Sequence, residues 1–372
     1  MEERLSALLA DLVAIPSTYP PGDTTRIALF CRDFVSRLGY EVKIHERKKG
    51  VQNVVARLGK GRPSIVFNAH ADTVDAGDAA AWKSDPFKAT LRDGRIYGLG
   101  ACNCKASMAV HLWLAEEIAR RGGPRRGEVV FTFVGDEENL GSEGLAWLRE
   151  AGHVRPDTLI VAAPTRNRIV YEERGVMWVR ITTRGRAAHA GAPHTGDSAI
   201  LRMQGVISSL GKNLEERRSA SGQQATLSIG TIRGGENINV VPDACVIQVD
   251  RRLLPEEDFD GAFRDLESAA RAAGAHEVAL LTGTPGFSMP ESGPGASAFG
   301  EAVRAATGEP PQRLNVVGAS DGRYFARDGI EILVTGPGDG ADSHVPNESL
   351  PLDEMVQAAR IHLGAAERLL GF

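Results

Sequence analysis

Short runs of apolar and β-branched residues alternate with helical patterns through the first part of the chain. The runs are SIVFNA (64–69), EVVFTFVG (128–135) and TLIVAA (158–163), and a helix is predicted from about Ala106 to Arg121. Strands without polar alternation are typical of parallel sheets, which are buried on both faces beneath crossover helices. The pattern therefore predicts an α/β domain in which a mixed, mostly parallel sheet is covered by helices.

At about Gly175 the strands begin to alternate polar and apolar residues. The new strands are VMWVRITTRG, ATLSIGTIRGG and CVIQVDRRLLP, and helices are predicted over Ser198–Leu214 and Pro255–Ala273. Alternation of this kind is typical of an antiparallel sheet with one solvated face. We therefore expect a smaller α+β domain to be inserted into the α/β domain.

The α/β pattern resumes in the last part of the chain. It contains a helix at 296–307, the strand IEILVTG (330–336) and a final amphipathic helix from about Asp353 to Leu370. The predicted domains are 1–173 and 287–372 for the two parts of the α/β domain and 174–286 for the insertion.

Composition and charge exclude several classes of partner. The 372 residues suffice for two domains, and the formal net charge of -5 with scattered Lys and Arg gives no footprint for nucleic acid. No apolar run approaches the ~20 residues of a membrane span, and MEERLSALLADLVAIPS has the apolar spacing of a folded helix. Four cysteines are too few for a disulfide framework, so we expect a reducing cytoplasm.

Histidines and carboxylates follow the ends of the predicted parallel strands. In chain order they are His70, Asp72, Asp136, Glu137, Glu138 and His344. Ligands of open α/β sheets bind beyond the carboxyl ends of the strands, so we expect these side chains to meet in one crevice. Imidazole nitrogens and carboxylate oxygens bind zinc, and a spare carboxylate can accept a proton from water. The sequence thus predicts a hydrolytic metal site.

Motifs along nearly the whole chain resemble the M20 family of metallopeptidases and amidohydrolases. The matching segments are HADTV (70–74), YGLGACNCKAS (97–107), DEENLGSEG (136–144), RGRAAHAGAPHTGDSAI (184–200), GGENINVVPDACVIQVDRRLLP (234–255), GASDGRYF (318–325) and GPGDGADSHVPNES (336–349). The third is similar to D-E-E-x-G-S-x-G with one residue added. The family includes acetylornithine deacetylases, succinyl-diaminopimelate desuccinylases, glutamate carboxypeptidases and aminoacylases. The resemblance implies a zinc-exopeptidase-like catalytic domain, an inserted lid or dimerisation domain, and a homodimer.

The resemblance also implies a metal site, which this sequence alters at two positions. The family holds two zinc ions with five residues, and the matching positions are His70, Asn103, Glu138, Ala163 and His344. Asn103 replaces the bridging Asp, and Ala163 replaces an acid before Pro-Thr. With Glu138 as the remaining ligating carboxylate, two zinc ions and a hydroxide would leave about two charges uncompensated at a separation of ~3.5–4 Å. We therefore expect at most one ion of zinc, manganese or cobalt, or none.

The residues around this site receive roles by the same resemblance. Glu137 would be the general base, and Asp72 would orient His70. Cys102 and Cys104 flank Asn103, and side-chain alternation is expected to point them away from it, into the packed interior.

Three residues of the insertion match substrate-binding positions of the family. Arg252 and Asn239 would hold a substrate carboxylate, which suits the planar guanidinium of Arg252. The structural alternative for Arg252 is an ion pair with Asp250. His189 matches a lid histidine that reaches a neighbouring subunit and polarises the scissile carbonyl, and its alternative is a solvated loop position.

Three functions follow from these observations. The first is hydrolysis of an N-acyl amino acid, a dipeptide or a related amide with at most one metal ion. The second is a metal-independent acyl or amide reaction in which Glu137, Asp72, His70 or Cys104 acts as acid, base or nucleophile. The third is a non-catalytic protein that binds a carboxylated amide. A substrate attached to a small carrier protein fits the first as well.

Overall fold

The computed structural model describes residues 1–212, 222–314 and 318–372. In this part of the chain the helices are α1 (Glu2–Val13), α2 (Thr25–Ser36), α3 (Lys105–Arg120), α4 (Leu145–Glu150), α5 (Ala199–Lys212), α6 (Phe259–Ala272), α7 (Pro294–Thr307) and α8 (Leu352–Leu370). The strands are β1 (Thr18–Tyr19), β2 (Glu41–Glu46), β3 (Gln52–Gly59), β4 (Ser64–His70), β5 (Thr73–Val74), β6 (Thr90–Arg92), β7 (Arg95–Tyr97), β8 (Glu128–Val134), β9 (Thr158–Val161), β10 (Glu172–Glu173), β11 (Gly175–Arg184), β12 (Thr226–Gly234), β13 (Ala244–Leu253), β14 (Glu277–Thr284), β15 (Phe287–Ser288), β16 (Glu331–Val334) and β17 (Ser349–Pro351).

The chain divides into two compact units. The first comprises Met1–Tyr171, Met289–Leu314 and Ser320–Phe372, and the second consists mainly of Glu172–Ser288. The assignment of a catalytic role to the first and a lid or dimerisation role to the second stays a prediction.

The first unit is built on a six-stranded sheet in the order β16-β9-β4-β8-β3-β2. The four strands from β16 to β8 run parallel to their neighbours, whereas β3 is antiparallel to β8 and β2 is antiparallel to β3. Every residue of β4 is buried, as its lack of polar alternation predicts. The predicted mixed, mostly parallel α/β sheet is confirmed, and its edge is an antiparallel pair.

The core of the first unit joins this sheet to its helices. Helices α1, α3, α7 and α8 pack on one another in a continuous apolar cluster that includes Phe67, Phe131 and Phe299. Helix α3 is buried along most of its length, so its apolar residues surround the whole helix instead of forming one stripe. This rigid support lies directly after the loop that contains Asn103.

The second unit has a separate core and an antiparallel sheet in the order β12-β13-β11-β14. Helices α5 and α6 pack against this sheet. The predicted start of α6 at Pro255 is wrong, because the Asp258 side chain accepts a hydrogen bond from the Gly261 N–H and caps a helix that begins at Phe259. The predicted end of α5 at Leu214 lies outside the described residues.

Across the described ranges, the structure contains no helix with the length and apolar character that a membrane crossing requires.

Two histidines that the sequence analysis did not single out lie in the core of the first unit. His111 on α3 and His362 on α8 are buried, with ring centroids 5.4 Å apart. Both ring nitrogens of His111 and Nδ1 of His362 have no hydrogen-bond partner among the described residues. Burial lowers the pKa of His111 well below its ordinary value and lowers the pKa of His362 to about 3.

These histidines are expected to make the folded state sensitive to acid. Both are neutral when folded but bind a proton in the unfolded chain below about pH 6.5, so the folded state loses stability as the pH falls below that value. For His362 the loss is about 1.4 kcal/mol per pH unit down to its pKa of about 3. In urea unfolding at several pH values, the free energy of unfolding of His362→Phe should fall less steeply with decreasing pH than that of the wild type. His194→Phe, at an exposed position, is the control. Equal slopes for His362→Phe and the wild type would contradict the prediction.

Candidate active site

Three predicted site residues lie together at the ends of two adjacent parallel strands of the first unit. His70 is the last residue of β4, and Glu137 and Glu138 follow the end of the adjacent parallel strand β8. The three side chains each present a ligand atom within 4.8 Å of the other two. Strand register explains the meeting, because His70 pairs with Val134, the last residue of β8.

Asn103 lies at the centre of this group and bonds to both sides of it. Its Oδ1 is 3.1 Å from His70 Nε2, and its Nδ2 donates to Glu138 Oε1 at 3.0 Å. His344 Nε2 lies 2.9 Å from the same Glu138 oxygen. The amide therefore links residues that the M20 resemblance assigns to two different metal ions.

Glu348 holds the loop that carries Asn103. Its Oε1 accepts hydrogen bonds from the N–H groups of Cys102 and Asn103, each at 2.8 Å, and its Oε2 accepts one from Gly100 at 2.9 Å. The residue is only 2% exposed, so these bonds satisfy a carboxylate that burial would otherwise destabilise. Sequence reasoning missed this residue, although an acid four residues after His344 in a metal-site segment was a usable signal.

Asp72 contacts both His70, which it was predicted to orient, and Glu138. His70 Nδ1 donates to the backbone carbonyl of Asp72 at 2.9 Å, while the carboxylate Oδ1 is 3.7 Å away and has no hydrogen-bond partner among the described residues. The other carboxylate oxygen accepts the Glu138 N–H at 3.0 Å. The backbone of Asp72 thus orients the imidazole, and its carboxylate orients Glu138.

Glu137 is largely enclosed, with a side chain that is 14% exposed. Its Oε2 lies 3.9 Å from His70 Nε2, and its Oε1 lies 3.9 Å from Arg323 Nη1. Burial raises the pKa of Glu137, and the neighbouring Asp321 acts in the same direction, whereas His70 and Arg323 oppose the rise. A carboxyl group moved toward neutral pH is suited to act as a general base.

The clustered side chains include donors that suit a divalent metal ion. His70, Glu137 and Glu138 each present a ligand atom within 4.8 Å of the other two, and His344 Nε2 lies 2.9 Å from Glu138 Oε1. Imidazole nitrogens and carboxylate oxygens are the ligands of catalytic zinc ions. Asn103 offers only a neutral oxygen, and the methyl group of Ala163 offers no ligand atom. Two adjacent divalent ions would therefore repel each other without the carboxylates that normally offset their charge.

Both cysteines beside Asn103 are buried, and neither belongs to the metal-ligand group found among the described residues. Cys102 Sγ donates to the Asp339 carbonyl at 3.3 Å, and burial raises its pKa to about 12. Cys104 lies beside the His70 ring. Burial acts to lower the pKa of His70, but Cys104 and Glu137 raise it above the ordinary value.

In the second unit, Arg252 is engaged with Asp250. Its Nε and Nη2 donate to the two carboxylate oxygens at 2.7 and 3.0 Å, and Trp178 Nε1 donates to the same carboxylate at 2.8 Å. This is the structural alternative that the sequence left open. A substrate carboxylate would have to compete with Asp250 for the guanidinium.

His189 and Asn239 lie together on an exposed part of the second unit. His189 forms a bridge with Val240, and the Ala190 N–H donates to the Asn239 carbonyl at 3.0 Å. Asn239 precedes the Ala244 end of β13, whereas Arg252 lies near its other end, roughly 27 Å from Ala244 at the usual rise per residue. The unit therefore brings His189 and Asn239 together and keeps Arg252 apart from them.

The order of these segments matches a known family over most of the chain. Residues 66–368 match the sequence model described as Peptidase family M20/M25/M40. The chain belongs to this family. As an M20 protein it is a hydrolase that acts on amide bonds, so the predicted family and class of enzyme are confirmed.

Individual proteins resemble this chain over nearly its whole length. A succinyl-diaminopimelate desuccinylase of Rhodospirillum centenum is 31% identical over 97% of this chain and 96% of its own length. An M20 metallo-carboxypeptidase of Sulfolobus solfataricus has a TM-score of 0.83 and 19% identity, with all of both chains covered. An M20 peptidase of Bacillus subtilis described as dinuclear metal-binding has a TM-score of 0.73 and 19% identity over 99% of this chain and 98% of its own. The two solved structures share the fold.

Proposed function

We propose that this M20 hydrolase cleaves the amide bond of a small carboxylated substrate with at most one metal ion. The observation that carries the proposal is the position of Asn103, whose amide joins His70 to Glu138. A bridging carboxylate supplies charge to two ions, whereas an amide supplies none. Ala163 removes a further ligand, so the site retains donors for a single cation.

His70, Glu138 and His344 would hold this ion, with the Asn103 oxygen as a neutral fourth donor. When bound, the ion supplies the positive charge that polarises the substrate carbonyl. Glu137 accepts a proton from the attacking water and returns it to the departing amine, which completes the hydrolysis. Asp72 keeps His70 and Glu138 in place during this transfer, through its carbonyl and its carboxylate.

Substrate recognition is proposed for the second unit. Arg252 would exchange Asp250 for the substrate carboxylate, since a guanidinium can bind either group through two parallel hydrogen bonds. His189 and Asn239 would act at the site of a second copy in a homodimer. Their separation from Arg252 along β13 supports this division, because one small molecule cannot span that distance.

Exposed apolar side chains support a dimer through the second unit. Leu201 on α5 is 67% exposed, Ile232 on the edge strand β12 is 56% exposed, and Ile238 is fully exposed. An edge strand also leaves backbone groups free to pair with another chain. Burial of these residues against a second copy would remove the exposed apolar surface.

The substrate class proposed is an N-acyl amino acid, a dipeptide or a related amide. The similarity to a desuccinylase supports an acylated amino acid, either free or attached to a small carrier protein. The four cysteines are free and buried, which supports a reducing cytoplasm as the compartment.

Native mass spectrometry tests the metal count and the dimer together. Protein purified without chelators and re-equilibrated with zinc, manganese or cobalt is expected to contain two chains and one ion per chain. Elemental mass spectrometry on the same sample identifies the ion. Two ions per chain would contradict the mononuclear site, and a monomer at micromolar concentration would contradict the dimer.

A metal-independent reaction is the second candidate. It is favoured by the contact between Cys104 and His70, which places a thiol beside an imidazole. Full activity in excess chelator, together with no bound ion, would support this reaction. Complete sensitivity to chelator would exclude it.

A further inference from the structure

Arg323 is a buried cation that the proposed reaction does not use. It lies in the 3₁₀ turn Asp321–Phe325, and its side chain is 2% exposed. Its Nη1 is buried and has no hydrogen-bond partner among the described residues. Burial of a guanidinium is costly unless a partner offsets the lost hydration, so the direction in which Nη1 points is informative.

The two terminal nitrogens of Arg323 reach the same loop at different points. Nη1 lies 3.9 Å from Glu137 Oε1, at the start of the loop. Nη2 donates to the Tyr324 hydroxyl at 2.7 Å, and that hydroxyl donates in turn to the Gly141 carbonyl. The guanidinium also lies 4.3 Å from the centre of the Tyr324 ring. One side chain therefore faces both the carboxylate of Glu137 and the far part of its loop.

The loop 136–144 has a strained backbone, which contacts from outside the loop help to hold in place. Asp136 and Leu140 have positive φ values of 69° and 56°, a backbone region that residues other than glycine rarely adopt. The segment also has one residue more than the D-E-E-x-G-S-x-G motif. Internal bonds such as Glu143 N–H to Asp136 Oδ2 at 2.9 Å hold the loop backbone, but they do not orient the Glu137 side chain.

We propose that Arg323 is a positioning residue that holds the Glu137 carboxylate through Nη1 and the Gly141 end of the loop through Tyr324. At 3.9 Å the two charged groups lie within ion-pair distance, although the separation is too long for a hydrogen bond. The inference rests on the proposed function because Glu137 is the general base there. The contact itself exists independently of turnover and can be tested without a substrate.

A double-mutant cycle in urea tests the contact. Glu137→Gln and Arg323→Gln each remove one of the two buried charges in this contact, so each is expected to shift the unfolding midpoint. The unfolding midpoint of the double variant is expected to shift by clearly less than the sum of the two single shifts. Arg57→Gln, which breaks an ion pair with Glu128 at the opposite end of β8 from Glu137, is the control and should add to Glu137→Gln. Additive shifts for Arg323 and Glu137 would overturn the proposal.

Kinetics provide the second measurement, with variants that keep the fold. Arg323→Lys keeps the positive charge but has one terminal nitrogen where the guanidinium has two. Tyr324→Phe removes only the hydroxyl group that contacts Gly141. Both are expected to lower kcat by roughly 10- to 100-fold at constant KM, because a displaced base affects the chemical step. A raised KM at constant kcat would overturn the positioning role. A wild-type protein without turnover would contradict the proposed function, while the urea cycle would still decide the role of Arg323.

Discussion

We expect Glu137→Gln to lower kcat by roughly 10²- to 10⁴-fold and to leave substrate affinity unchanged, because the amide has nearly the same shape but cannot accept the proton. Burial raises the pKa of Glu137, and its Oε2 lies 3.9 Å from His70 Nε2. Steady-state kinetics on a panel of N-acyl amino acids gives kcat, and calorimetry on the inactive variant gives the affinity.

Glu138→Gln is the matched control for this experiment. Glu138 bonds to Asn103 and His344, so its substitution is expected to reduce metal content as well as turnover. Glu137→Gln should retain the ion if Glu137 acts as a base. Retained turnover in Glu137→Gln would refute the general-base role, and loss of both ion and substrate binding would assign Glu137 to the ligand set instead.

The second large effect is expected from a change in metal stoichiometry. The double variant Asn103→Asp/Ala163→Glu should bind two ions per chain where the wild type binds at most one. The two new carboxylates add two negative charges at the positions that a dinuclear M20 site uses, and they offset the repulsion between the ions. Elemental mass spectrometry after equilibration with excess zinc measures the count.

Single substitutions at the two positions separate the effect of charge from the effect of side-chain shape. Ala163→Gln places a side chain similar in size to glutamate at position 163 without adding charge. It should therefore not raise the number of metal ions bound per chain. Asn103→Asp alone is expected to disturb the cluster, because it removes the donor to Glu138 and places two carboxylates in contact. An unchanged metal count in the charged double variant would show that the altered residues are not what limits the site.

The sequence predicted the sheet well where its strands are fully buried. The run 64–69 has no polar alternation and forms β4, whose residues are all buried. The antiparallel strands β2 and β3 were not predicted, although they complete the edge of the same sheet. Residues of β2 are exposed or half-buried, so their apolar signal was too weak to distinguish an edge strand from a loop.

For the candidate site, too, the sequence predicted some features and left others to the structure. Strand ends and motif order were sufficient to place His70, Glu137 and Glu138 in one cluster, because parallel neighbours end at the same edge of a sheet. They could not indicate that His70 Nδ1 lies closer to the Asp72 backbone carbonyl, at 2.9 Å, than to the Asp72 carboxylate, at 3.7 Å. That choice depends on side-chain rotation, which motif spacing does not encode.

The sequence by itself determined the family, the α/β class and the two altered ligand positions, because each depends on residue identity and order along the chain. The tertiary structure decided what Asn103 does, which residue anchors its loop and which cation faces Glu137. Glu348 contacts Asn103 across 245 positions of sequence. Such partners meet only when separate strands and loops fold against one another, so the direction of their polar atoms is a property of the packed chain.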